Sequence, residues 1–423
     1  MPTLGNEFIL AKDLTRVIGG SARSSSELVR PGTHAFISLA RSGMKVEQYS
    51  WTTTGGWDRA LASSSLGDSV QLVLLFGDAK AASAQDCLSL VRQAFPQAHL
   101  FGCSTAGEIL GTRVREGTLA LTAIAFEHSQ VTFARASVEN PDRSFAAGEE
   151  VIRQLDPRGL RHVVVLCEGL RAYSTDVVSG ITSALPPGVT VSGGFAADYN
   201  IFHSTHVWCD SEPQQSTIVA LGFHGERLRF GLSVTGGWRP FGPNRLITKS
   251  HRNVLYEFDG RPALALYKQY LGEHAAGLPA SGHLFPLELH NRQRQSRVLR
   301  ALIAVDEKEQ SITYAGNVPE GSHARFMMGH IEDLIGGALK ASKESLENIG
   351  GSPPSLSLLV SCSARRPILL QRVEEEVEVV QDVLGEQAAL TGFYSYGEIG
   401  PPTFGATSEL HNETMSITNI SED

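Results

Sequence analysis

Three times along the chain a continuous apolar run of strand length precedes a helical pattern, and a loop of small residues then closes on an acid. Gln71–Phe76 (QLVLLF) leads to a helix over Ala84–Ala94 and to Phe101-Gly102-Cys103-Ser104-Thr105-Ala106-Gly107-Glu108. His162–Cys167 (HVVVLC) leads to a helix over Thr175–Ala184 and to Val191-Ser192-Gly193-Gly194-Phe195-Ala196-Ala197-Asp198. Leu356–Cys362 (LSLLVSC) leads to a helix over about Leu369–Leu384 and to Thr391-Gly392-Phe393-Tyr394-Ser395-Tyr396-Gly397-Glu398. Apolarity that is continuous, not alternating, suits strands covered on both faces. The pattern predicts an α/β fold in which repeated strand–helix–strand units form mixed sheets. The three loops should occupy equivalent positions at the ends of their units.

The third helix has the clearest periodicity. Val373, Val377, Val380 and Leu384 recur at helical spacing, and Gly385 is placed to end it. The acids Glu374, Glu375, Glu376 and Glu378 read as its solvated face. Between the second and third units, Ser216–Phe223, Leu228–Val234 and Asn253–Phe258 read as strands. Asp259-Gly260-Arg261-Pro262 then opens a helix over Ala263–Leu271. Residues 277–297 are rich in Gly, Pro, His and Arg and read as an irregular excursion. Residues 1–30 lack strong periodicity and read as a loose tail.

Composition narrows the function classes. The 423 residues carry 36 Lys+Arg against 45 Asp+Glu, a formal charge of −9, which argues against a nucleic-acid partner. No apolar stretch approaches the roughly 18 residues of a membrane span, and the amino terminus has no secretory pattern, so a soluble, cytoplasmic protein is expected. Five cysteines without close pairing disfavour a disulfide framework or a zinc ribbon.

Candidate chemistry is sparse outside the three loops. Ser104 lies in a near-miss of the nucleophile elbow, with Ala106 where the second Gly belongs. No phosphate-binding Gly-rich motif for nucleotides is present. His203 and His206 lie three apart, and His283 and His290 seven apart, without carboxylates or cysteines at zinc spacing. Small residues in the loops let a ligand approach backbone N–H groups, as in anion-binding nests, or simply allow tight strand–helix packing. Both readings stand at this point.

In order, FGCSTAGEIL, SGGFAADY, DGRPALALY, SCSARR, GFYSYGEIGP and ELHNETMSIT resemble the FIST family over about Leu72 to Ile420. The resemblance implies a FIST-N domain over 31–255 and a FIST-C domain over 256–423, closely packed, in a bacterial sensory protein that binds a small ligand. It also implies a branch of haem-binding nitric-oxide sensors that regulate a partner histidine kinase; an amino-acid-like ligand without haem is the alternative. On the haem reading the axial ligand is His251, in a polar turn near the domain boundary, with His203 in reserve and Lys249 or Arg252 at the propionates. The ligand-lining residues are Cys103, Ser104, Thr105, Glu108, Asp198, Cys362, Arg365, Arg366, Tyr396 and Glu398. Arg365 or Arg366 is expected near the third loop, where an Arg could pair with Glu398 or with an anionic ligand group. The competing class is an enzyme with Cys103 or Ser104 as nucleophile and Glu108, Glu398 or His411 as acid/base.

Overall fold

The computed structural model describes residues 43–83, 87–199, 202–291 and 296–423. The loose-tail expectation for residues 1–30 lies outside them. Each apolar run forms the first strand of a parallel pair. Leu72–Gly77 pairs with His99–Cys103, Leu160–Cys167 with Thr190–Phe195, and Leu356–Cys362 with Ala389–Ser395. The connecting helices are Ala79–Ser83 and Cys87–Ala94, Ser174–Ala184, and Arg366–Leu369 followed by Glu375–Leu384. The third helix therefore begins later than its periodicity suggests. Pro367 fits only a first turn, and a short 3-10 segment at Leu370–Arg372 breaks the path.

Every parallel pair extends into a six-stranded mixed sheet, five strands of which follow one plan. Beyond the first strand lie two antiparallel strands: Thr118–Phe126 then Met44–Thr52, Thr217–His224 then Gln130–Ser137, and Met415–Glu422 then Leu228–Thr235. Beyond the second strand lies a short antiparallel strand borrowed from another unit. Val207–Cys209 of the second unit joins the first sheet, Glu398–Gly400 of the third joins the second, and Glu108–Leu110 of the first joins the third. This cyclic exchange makes the three units mutually dependent.

It also explains the unbroken apolar runs. Leu72, Leu74 and Phe76 share one core with Val164, Leu166, Leu356, Leu358 and Val360. Their alternate neighbours Val73 and Leu75, Val163 and Val165, and Leu359 pack instead into the core of their own unit. Both faces of each strand are thus buried.

One glycine recurs in each unit for a packing reason. Gly102, Gly193 and Gly392 sit opposite Leu75, Val165 and Leu359 in the parallel register. A Cβ on any of them would run into the carbonyl oxygen of that partner, far inside contact distance.

A second sheet system is inserted between Leu228–Thr235 and the helix Ile331–Asn348. Its order is Ser296–Arg300, Leu287–Asn291, His323–Met328, Arg239–His251, Val254–Phe258, Ser311–Tyr314 and Leu302–Asp306, with Arg261–Pro262 on the side of Val254–Phe258. The helix Ala263–Leu271 covers it, with Leu264 and Tyr267 in its core. Residues 277–297 are therefore not simply irregular: they include the strand Leu287–Asn291 and the start of Ser296–Arg300. The division at 255/256 falls inside the strand Val254–Phe258. The amino- and carboxy-terminal portions accordingly share sheets, and no clean seam separates them.

Candidate functional site

The three small-residue loops meet, and they bond to one another. Ser104 N–H donates to His206 O (2.8 Å), and His206 N–H returns a bond to Ser104 Oγ (2.9 Å). Ala106 N–H donates to Tyr394 O and Tyr394 N–H to Gly107 O; Phe195 N–H donates to Gly397 O and Tyr396 N–H to Phe195 O. Ala197 N–H closes the set on Ser104 O (2.9 Å). These N–H groups are therefore spent on loop–loop contacts and do not form an open nest. Small residues are needed here so that backbones can approach.

Of the three acids that end the loops, two are structurally equivalent. Glu108 and Glu398 each open the borrowed strand. Glu108 accepts from Thr105 Oγ1 (2.5 Å), Tyr199 OH (3.0 Å) and both N–H and Oγ1 of Thr118 (3.2 and 2.6 Å). Glu398 accepts from Ser395 Oγ (2.7 Å) and both N–H and Oγ1 of Thr414 (3.2 and 2.7 Å). Asp198 departs from the expected equivalence. The second unit's borrowed strand starts only at Val207, and Asp198 instead caps the intervening loop by accepting from the N–H groups of Phe202, His203 and Ser204. Tyr396 OH also donates to Asp198, with the Tyr396 ring stacked on Phe202 at 4.6 Å.

Burial raises the Glu108 carboxyl to about 7 and the Glu398 carboxyl to about 8, against the lowering effect of their hydroxyl partners. Buried His162 and His411 move the opposite way, to about 3 and about 4, because burial disfavours the imidazolium. Above the ordinary His value the unfolded chain has released all these protons, while folded Glu398 still holds its own. Stability should therefore fall as pH rises from about 6.5 to 8, by at most about 1.4 kcal/mol per pH unit for each carboxyl. Thermal unfolding across that range checks it: Glu398→Gln should flatten the decline, and an unchanged slope would contradict it.

The remaining predicted residues divide between core and surface. Cys103 and Cys362 end their strands fully covered, and burial pushes both thiols well up, so Cys103 has no reactive thiolate. Ser104 is buried and holds His206. His411 is buried against Gly400 O (3.0 Å). Arg365 and Arg366 both approach Tyr394 of the third loop, but neither pairs with Glu398. Arg366 lies over the Tyr394 ring at 5.3 Å and bonds Ala106 O and Glu116. Arg365 is wholly buried, with Nε on Glu376 (2.7 Å) and its other nitrogens on the carbonyls of Gly236, Leu334 and Glu413. Glu376 thus departs from the solvated face assigned to it; it also accepts from Tyr394 OH at 2.8 Å.

The turn Asn412-Glu413-Thr414 adds a feature absent from the predicted set. Glu413 has φ 59°, and the equivalent residues before Thr118 and Thr217 are Gly117 and Ser216, at 65° and 48°. Its carboxyl is fully buried, burial raises it above the ordinary range, and neither oxygen has a hydrogen-bond partner among the described residues. The side chain of Asn412, just as covered, is unpartnered at both amide atoms. The turn sits where the inserted sheet meets the three-sheet body. On one side, His283 of the insert faces Glu413. On the other, a cavity of about 480 Å³ is lined by Trp238, Arg297, Lys340, Phe404, His411 and Thr414. Trp238 Nε1 donates to Glu413 O (2.7 Å), joining the cavity wall to the turn.

Comparison with known proteins agrees with the motif order. Residues 71–261 match the profile of the FIST N domain, and residues 263–401 match that of the FIST C domain. The chain belongs to the FIST family. The uncharacterized proteins MT0656 and Rv0628c of Mycobacterium tuberculosis are each 24% identical over 355 residues, covering 82% of this chain and 89% of theirs. Among solved structures, a cyanuric acid hydrolase from A. caulinodans aligns over 90% of this chain and 99% of its own at 8% identity, with a TM-score of 0.35. A likeness that slight carries no argument about activity.

FIST domains are sensory small-ligand domains, and the haem expectation can be tested against the residues of this one. His251 ends the long strand Arg239–His251 in a two-residue turn and is exposed. Arg252 beside it is engaged by Asp176 (2.9 Å) and by the ring of Tyr173 (4.1 Å). His203 is also exposed, on the loop capped by Asp198. Both are on the surface and neither lines the cavity beside the Asn412–Thr414 turn, whereas an axial ligand stands beside a buried apolar pocket. These residues do not fit the group.

Proposed function

We propose that this FIST protein is a ligand-sensing module in which a small polar molecule binds at the junction of the inserted sheet and the three-sheet body, beside the Asn412–Thr414 turn. The observation that carries the reading is Glu413, a strained and fully buried residue whose carboxyl oxygens have no hydrogen-bond partner among the described residues and only His283, at 3.7 Å, within ion-pair range. Native proteins rarely leave buried polar groups unpaired, and backbone strain concentrates at functional positions. A ligand at this junction touches both sheet systems, so its occupancy can alter how they pack and be read by a second protein. A histidine kinase is the reader suggested by the family resemblance. The ligand in this reading is a polar small molecule, not haem.

Binding only to the folded state stabilises it by about 2.7 kcal/mol when the ligand is at a hundred times its Kd. A thermal-shift screen of small polar compounds should therefore yield at least one saturable stabiliser that competes for this site. A screen with no saturable binder would remove the reading.

A further inference from the structure

Glu413 bears two costs that, among the described residues, His283 at 3.7 Å offsets only in part. The left-handed backbone is unfavourable for a non-glycine residue, and a buried polar group without a hydrogen bond adds a desolvation penalty. Arg365, Glu398 and Tyr267 nearby are already committed. Arg365 spends its donors on Glu376 and on three carbonyls, one of which is the backbone oxygen of Glu413 itself. Glu398 has both oxygens filled by Ser395 and Thr414. Tyr267, on the helix Ala263–Leu271, gives its hydroxyl to Phe285 O (2.8 Å).

One group faces the carboxyl without a hydrogen bond to it. His283 Nδ1 stands 3.7 Å from Glu413 Oε1, beyond hydrogen-bond reach, and has no hydrogen-bond partner among the described residues. The His283 side chain is 29% exposed, so the pair lies at the edge of the interior.

We propose that Glu413 and His283 form the recognition point for a protonated primary amine on a small ligand, an inference that rests on the junction being the ligand site. A carboxylate is an acceptor only, an imidazole nitrogen that carries no proton is likewise, and an ammonium offers three donors from one nitrogen. A single nitrogen reaches two acceptors 3.7 Å apart, which the direct His283–Glu413 contact leaves unbridged. A ligand anion or carbonyl placed there would meet a second acceptor, and the burial penalty would remain. Neutralising a buried carboxylate with a charge-assisted donor removes it.

The test uses the full chain with methylammonium and n-propylammonium chloride as probes. Tetramethylammonium, of equal charge but without N–H donors, and sodium chloride serve as controls. Thermal shift and calorimetry should show saturable binding of both primary amines and no effect of tetramethylammonium beyond that of salt. Glu413→Gln should weaken amine binding at least tenfold, and His283→Ala several-fold. If Glu413→Gln does not fold, the partly exposed His283→Ala variant decides alone. Amine binding that is absent, or unchanged in the variants, overturns the proposal. So does a crystal structure in which ordered waters, or a closed His283–Glu413 hydrogen bond, satisfy the carboxyl and persist in n-propylammonium. A polar ligand that saturates the protein with the same affinity in Glu413→Gln overturns the amine while leaving the junction site standing. No saturable ligand at all removes both.

Discussion

Gly392→Ala is expected to destabilise the protein by about 3 kcal/mol or more, the upper part of the range for forcing atoms into a packed interior. The added methyl group would collide with the carbonyl oxygen of Leu359 on the neighbouring parallel strand, and a backbone atom cannot rotate away. Relief requires the strand pair to separate, and both faces of that pair are packed. Gly102→Ala and Gly193→Ala should behave alike, since they meet the carbonyls of Leu75 and Val165 in the same register. Gly336→Ala is the control. It lies on the exposed side of the helix Ile331–Asn348 with nothing within 4 Å of the added carbon, so it should stabilise by about 1 kcal/mol through helix propensity. Denaturant unfolding of the four variants checks the ordering. A Gly392→Ala protein as stable as wild type would refute the close-approach account of the repeated glycine.

That glycine shows where sequence reading succeeds and where it stops. The three apolar runs, their helices and their small loops were legible because burial on both faces imposes a long local pattern. What the glycines are for was not, because a clash with a neighbouring strand is a fact of tertiary register. Borrowed strands such as Glu398–Gly400 are three residues long and pair with a distant unit, so no local period marks them. Asp198 was grouped with Glu108 and Glu398 by sequence spacing, whereas the structure separates them by an intervening loop. The strand Leu287–Asn291 alternates apolar and polar residues, but surrounding Gly, Pro and His masked it. His251 and His203 came from resemblance and turn composition, neither of which measures exposure. Glu413 left one readable trace. Glu116-Gly117-Thr118, Gln215-Ser216-Thr217 and Asn412-Glu413-Thr414 each precede or open an apolar strand, and only in the third does an acid occupy the left-handed position.

Glu376 was readable and still misread. It lies three residues from Val373 and four from Val380, on the apolar stripe of its helix, although three neighbouring glutamates suggested a solvated run. Its fully buried pair with Arg365 yields the other large expected effect. Removing one member of a buried ion pair typically costs about 3–5 kcal/mol, because the other charge is stranded without water. Glu376→Gln should cost somewhat less than Glu376→Ala, since the amide oxygen can still accept from Arg365 Nε while its NH2 donates to the Tyr394 hydroxyl oxygen. Arg365→Ala should be at least as damaging: besides Glu376 it frees the carbonyls of Gly236, Leu334 and Glu413, which tie the link into the inserted sheet, the helix Ile331–Asn348 and the candidate ligand turn to one guanidinium. The double variant Arg365→Met with Glu376→Leu leaves neither charge stranded and should recover part of the loss. A double-mutant cycle by denaturant unfolding measures this. Additive losses, with no recovery in the double variant, would mean that the two side chains contribute separately and that Arg365 does not hold the junction through Glu376.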